Sequence, residues 1–258
     1  MKHLLLLLPI FTFLMPGCHK SDIDVQIPEN PRSVVVEGYL TPDYPAELTL
    51  TESNSLKDDL VILAIWNAQV KINTDTGTMV ARNILYKKTD RRIVVNYGCP
   101  DTLKAGAHSF FNLTVVLKDG RTVQASTKII SPVEIKKVEL NDDNIVVRHD
   151  LVNDASKYFK LAVANYKQGK VSLTKSLLYD QSQSSNATCV MPLANYKVDA
   201  DSVVVRLFHL QKEYYDYLNS VDNAYSAFID PLLNPEDIKS NVNGGIGILP
   251  IIRLTKFR

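Results

Sequence analysis

From residue 33 onward, apolar and polar residues alternate in short runs broken by Gly, Pro, Asn and Asp, the pattern of strands with one buried and one wet face. Ser33–Leu40 carries Val34, Val35, Val36 and Tyr39; Ala46–Glu52 alternates Leu48 and Leu50 with Thr49 and Thr51; Ala68–Thr74 alternates Val70 and Ile72 with Lys71 and Asn73. The same reading predicts strands over Met79–Tyr86, Arg92–Tyr97, Ser109–Lys118 and Arg121–Ser126, with Asp119-Gly120 turning the last pair. A second series runs from Val133 to Leu140 and then over Asn144–Arg148, Tyr158–Tyr166, Val171–Leu178, Thr188–Pro192 and Ser202–His209. Strands at such regular spacing predict an all-β fold of two consecutive immunoglobulin-like β-sandwich domains.

The break between the two series falls at Ile130, Ser131 and Pro132, because proline ends a strand pattern. This places an N-terminal sandwich at 31–131 and a C-terminal one at 132–258. Within the second, Leu210, Tyr214, Tyr217, Leu218, Val221, Tyr225 and Phe228 recur at three and four, predicting one amphipathic helix over 210–228. Its tyrosines read as packing rather than as a sugar-stacking platform. Asp230-Pro231 and Asn234-Pro235 stop the helix, and Gly247–Thr255 reads as a closing strand.

The first residues follow a different rule. Met1, Lys2 and His3 lead into an apolar run from Leu4 to Met15, then Pro16, Gly17 and Cys18. A charged start, an apolar stretch too short to span a bilayer and a small residue before a cysteine predict a signal peptide at 1–17 with lipid attached to Cys18. Residues 18–30 then form a lipidated tether. No later apolar run reaches the length of a span, since Leu60–Trp66 is broken by Asn67 and Gln69. The expected location is therefore a membrane held through the lipid on Cys18.

Composition narrows the partners. With 29 basic and 28 acidic residues the formal charge is +1, so no overall field draws a polyanion and nucleic acid is not an expected partner. Cys99 and Cys189 fall in different predicted domains and read as free thiols.

Candidate chemistry is sparse. His209 and Glu213 stand four apart without the second histidine of a zinc helix, and His108 and His149 stand alone, so no metal site is assigned. Asn141-Asp142-Asp143-Asn144 lacks the alternating acids and closing Glu of a calcium loop and reads as a polar turn. Asn243-Gly244-Gly245-Ile246-Gly247 precedes a strand rather than a helix, which points to tight backbone geometry at a sheet edge instead of a phosphate cradle. No Gly-x-Ser-x-Gly elbow is present. No catalytic residue and no cofactor are assigned, and the chain reads as a non-enzyme. The one candidate binding cluster is basic: Lys87, Lys88, Arg91 and Arg92 around Thr89-Asp90 on a predicted hairpin, suited to an anionic headgroup or glycan.

Val34 to Leu40, Leu48 to Ser53, Asn67 to Ile72 with Asp75-Thr76-Gly77, and Ser240 to Ile248, taken in that order, resemble a Bacteroidota lipoprotein family catalogued as domain of unknown function number four-two-four-nine. The chain departs from the family pattern at Leu249-Pro250 and at His108–Phe110. The resemblance implies an outer-membrane lipoprotein on the cell surface, assisting a TonB-dependent β-barrel receptor in nutrient capture. It hands over no catalytic residues. A structural surface protein, adhesin or pilus-associated, is the alternative, with the Gly247–Thr255 strand as a donor strand. A surface hydrolase ranks third and would need paired acids meeting in space.

Overall fold

The computed structural model describes residues 31–54, 61–88, 93–104, 109–141, 144–152, 156–182, 186–193, 200–230, 232–234 and 236–257. The first eight strands are β1 (Val34–Tyr39), β2 (Pro45–Glu52), β3 (Leu63–Ala64), β4 (Gln69–Thr74), β5 (Gly77–Lys88), β6 (Ile93–Thr102), β7 (Phe110–Val116) and β8 (Thr122–Lys128). Then come β9 (Ile135–Leu140), β10 (Asn144–His149), β11 (Tyr158–Lys167), β12 (Lys170–Asp180), β13 (Thr188–Pro192) and β14 (Ser202–Leu210). The helix α1 (Lys212–Ile229) follows, and β15 (Val242–Asn243), β16 (Ile246–Ile248) and β17 (Arg253–Phe257) close the chain. The fold is mostly β with one helix near the C-terminus, as the alternation predicts.

Period-two burial holds strand by strand. In β1 the valines at 34 and 36 are buried while Val35 and Glu37 are half-buried, and β8 buries only Val123, Ala125 and Thr127. These strands and their neighbours form one ten-stranded sheet in the order β15-β8-β7-β4-β5-β6-β2-β1-β16, with β3 on β2. The expectation of two facing sheets here is not met, because β5 pairs with both β4 and β6 and so carries the sheet round without a break. Where β6 parts from β2, the buried Asn96 amide takes over the pairing, accepting from Leu50 N at 2.8 Å and donating to the Leu50 and Ile65 carbonyls at 2.8 and 3.0 Å.

The two edges of this sheet are joined by a single hairpin from the far end of the chain. β15 pairs antiparallel with β8, the chain turns at Gly244-Gly245, and β16 pairs parallel with β1. Only glycine fits the return: at Gly247, φ is +123° and a Cβ would stand 1.9 Å from the Val36 carbonyl oxygen. Ser240 Oγ accepts from the amides of Val242 and Gly247, both at 3.1 Å, and the Asn241 amide pairs with Leu249 N and O at 2.9 and 3.1 Å. The glycine-rich run is thus the tight sheet-edge backbone that its sequence predicts. The predicted single strand over 247–255 is instead two short strands on different sheets, broken at Pro250, which has no N–H for a ladder.

The second body packs a three-stranded sheet, β13-β10-β9, on a four-stranded one, β12-β11-β14-β17. Ile145, Val147, Cys189 and Met191 from one layer meet Phe159, Leu161, Val163, Val205 and Leu207 from the other in one core. The chain passes from first to second body across the proline break, between Lys128 and Ile135. Residues 240–252 then return to the first sheet, so 132–258 is not one contiguous unit.

Register shows which strand ends lie together. Val34 pairs with Glu52, and Arg121 donates to the Arg32 carbonyl at 3.5 Å and to Glu52 at 2.5 Å. The β5–β6 pairing ends at the same level, with Lys88 opposite Ile93. This is the end at which the described chain begins. At the opposite end lie the Thr74–Gly77 turn, Phe110 opposite Lys128, Leu40 bridged to Ile251, and the passage into the second body.

Candidate binding cleft

Where β15 stops, at Ala125, the edge of β8 opens and a cleft of about 710 Å³ begins. Its floor is the outer face of β7 and β8, because Phe111, Leu113 and Ala125 point into the core and leave Phe110, Asn112, Ser126 and Lys128 outward. Its far wall is the start of α1, with Gln211, Lys212 and Glu213, and Ser156 of the second body completes it. The cleft therefore exists only because both bodies meet.

Gln211 holds that junction. Its Oε1 accepts from Thr127 Oγ1 at 2.5 Å and from Ile251 N at 3.3 Å, and its Nε2 donates to the Lys128 carbonyl at 2.6 Å. Asn241 Nδ2 likewise donates to the Ser126 carbonyl at 3.4 Å. The side-chain amides replace the strand partner that the edge lacks, which would otherwise leave polar backbone groups unmet. A consequence is that α1 starts without a side-chain cap, although Gln211 occupies the cap position.

The cleft offers amides, hydroxyls, charges of both signs, one half-exposed phenyl ring at Phe110 and the aliphatic side chains of Ile129 and Ile130. Lys212 is committed to Asp216 at 2.5 Å, a hydrogen bond that holds its ammonium above the ordinary lysine range, and it also sits 5.9 Å over the Tyr158 ring. Such a lining suits an uncharged polar ligand, a glycan or an extended peptide, better than a polyanion. The Ser156 hydroxyl and the imidazole behind it are held by backbone carbonyls. Ser156 Oγ donates to the Leu210 carbonyl, and His209, buried behind it, turns one ring nitrogen to the Ser131 carbonyl at 2.7 Å and the other to the Ser156 carbonyl at 3.0 Å.

The sequence-assigned residues lie elsewhere. Cys18, Arg91 and Arg92 fall outside the described residues, and Lys87 and Lys88 are the last two residues of β5, at the end where the described chain begins. His209 closes β14 and does not share a helix with Glu213. His149, which stands alone in sequence, shares the Phe159 ring with His209, at centroid distances of 4.6 and 5.1 Å. Cys99 and Cys189 are free and lie in separate cores, and burial pushes their thiols up to about 11 and about 12, far from thiolate chemistry. Among the described residues no group of three His, Cys, Asp or Glu side chains is placed to hold a metal. Asn141 and Asn144 close a hairpin turn through Asn141 Oδ1 and Asn144 N at 2.7 Å, as their sequence predicts.

Phe110, Asn112, Gln211 and Asn241 were not singled out as site residues by sequence. Gln211 carried one usable signal, since a strand pattern there gives way to a helix pattern at a residue that caps poorly.

Together, the fold and the cleft define a β-rich scaffold of two bodies with a recess of mixed polar and apolar lining at their junction. The chain belongs to the family described as domain of unknown function DUF4249, whose model matches residues 20–257. No curated protein matches the chain.

Proposed function

We propose that this protein is a lipid-anchored accessory module of the outer membrane, held through Cys18, that assists a TonB-dependent receptor in capturing a nutrient. Its second body is read as an immunoglobulin-like sandwich, a reading that its seven strands in two layers support. The observation that carries the function is the position of the cleft. The described chain begins at one end of the first body, whereas the cleft and the second body lie at the other. A recess so placed is open to ligand on the side that a bilayer does not block.

The surface-polymer reading is weaker. β17 is an edge strand, as a donor strand requires, yet Thr255 Oγ1 donates to the Val133 carbonyl and Arg253 Nε to the Ile130 carbonyl at 3.1 Å, tying it within its own molecule. The deciding experiment is a pull-down of the lipoprotein from detergent-solubilised membranes. Recovery of a β-barrel receptor in stoichiometric amount is expected; repeated recovery of the lipoprotein without one would remove the accessory role.

A further inference from the structure

The second half of α1 and the segment after it expose large apolar residues that no element among the described residues covers. Phe228 is 85% exposed, Leu232 91%, and Tyr225 and Ile229 64% each. The first half of the same helix is covered: Tyr214 meets Tyr39 at 6.2 Å, Tyr215 meets Tyr158 at 4.8 Å, and Ser220 is buried, accepting from Lys239 N at 2.9 Å.

The reason is geometric. Tyr214 lies beside Tyr39, Glu37 acts on Tyr217, and Ser220 is linked through Lys239 and Ser240 to Gly247, which pairs with Val36. The helix therefore runs counter to β1, advancing about 1.5 Å per residue against roughly 3.3 Å per residue for the strand. From Ser220 to Ile229 it gains roughly 13 Å, while only about 7 Å of β1 remains between Val36 and Val34. Its apolar tail overhangs the sheet at the end where residues 1–30 join the described chain.

We infer that this overhang is a second membrane contact: Tyr225, Phe228, Ile229 and Leu232 enter the boundary between headgroups and acyl chains of the leaflet that holds the lipid. The inference rests on the anchored reading of Cys18. Two observations select the bilayer as occupant. Residue 31 lies thirteen residue steps from Cys18, a reach of at most about 45 Å, so a lipid on Cys18 keeps this end of the body within that distance of the membrane. Asp222, Asp230, Glu236 and Asp237 flank the patch in sequence against Lys239, so an identical acidic flank on a second copy would be repelled. Exposed apolar clusters rimmed by polar residues are the mark of such contacts. A one-point flexible tether would thereby become a two-point attachment that sets the body upright, with the cleft pointing outward.

The test uses the processed, lipidated protein in phosphatidylcholine vesicles, with an environment-sensitive fluorophore on L232C. Cys99 and Cys189 are buried and do not compete for the label. A blue-shifted emission quenched by brominated lipid is expected at 232, with a water-like emission from the same label on T76C in the exposed turn at the opposite end. The F228D/I229D pair should abolish the shift while vesicle flotation through the lipid persists. In unlipidated C18S protein, the same pair should weaken partition by roughly tenfold or more. A lipidated, floating protein whose 232 label stays water-like overturns the inference and leaves the anchor standing. A protein found by mass spectrometry to carry no lipid, yet still shifted, keeps the contact and removes the anchor. A shift seen only when other membrane proteins are present assigns the patch to a protein and overturns it.

Discussion

The two bodies solve the same problem, exposed sheet edges, by different means. The first consumes both edges with the β15–β16 hairpin, so that a chain segment more than 100 residues away from β8 completes its wall. The second leaves β9, β12, β13 and β17 as edges and blunts one of them with charge: Lys136, Lys137 and Glu139 on β9, with Lys137 paired to Glu139 at 2.6 Å and Arg148 to Glu139 at 3.5 Å. Closure permits a larger core, 22 buried apolar residues against 11 among the described residues. It also makes the first body discontinuous, because β9 to α1 intervene before its last strands. The comparison teaches that the apparently N-terminal unit depends on C-terminal residues for its sheet, whereas the second body pairs only within itself, although β15 and β16 intervene before its own last strand, β17.

Breaking the closure should have the largest effect. Gly247→Ala adds a Cβ 1.9 Å from a backbone oxygen that cannot move without dismantling β1, at a φ of +123°. A loss of roughly 4 kcal/mol or more is expected, in the range reserved for clashes with fixed backbone. Gly120→Ala separates the causes: φ is +88° there but open space surrounds the new Cβ, so the cost should be only about 1–2 kcal/mol. Trp66, the one tryptophan, sits in the first body and reports both in denaturant titrations. Equal midpoints for the two variants would show that the hairpin does not close the sheet.

A cavity in the second core comes next. Leu161 is fully buried in β11, and Leu161→Ala should cost about 2–5 kcal/mol. Far-ultraviolet circular dichroism should then split into two transitions, with the Trp66 midpoint moving less than half as far as the earlier one. Trp66 and the dichroism shifting together would mean that Gln211 and its neighbours weld the bodies into one cooperative unit, and the contrast drawn above would be structural only.

Much of this was legible in the sequence, and the reason is local. Alternation in β1, β2, β7, β8, β10 and β11 states which face is buried, Asp119-Gly120 states where the chain turns, with Gly120 at positive φ, and Pro132 states where one series stops. None of these states which sheet a strand joins. Val36 and Gly247 meet across more than 200 residues, and the two-residue β15 is too short to alternate. The same limit hid the cleft, since Asn112 and Gln211 become neighbours only through the return of the chain. The helical stripe was read as packing throughout; the structure bears this out from Tyr214 to Ser220 and departs from it beyond, because a stripe shows an apolar face and not how far the partner extends.

The smallest effect concerns pH and the second body alone. His149 Nδ1 faces the Asp150 carbonyl at 2.7 Å, which places the proton there, and the ring is buried against Phe159. Burial lowers the pKa of this imidazole below the ordinary histidine value, and His209 across the Phe159 ring lowers it further, while the Asp150 carbonyl and the Gln181 amide oppose them. In the unfolded chain His149 takes its proton near pH 6.5; in the folded chain it resists until the pH is lower. Between those two points the unfolded state binds more protons, so stability is full above about pH 6.5 and declines as pH falls below it. His149→Leu removes the titrating group and should flatten this part of the stability-pH curve for the dichroism transition, leaving the Trp66 transition of the first body unchanged. A wild-type curve with no decline between pH 7 and 5, or a decline of the same size in the variant, would show that the imidazole is not held neutral by its surroundings.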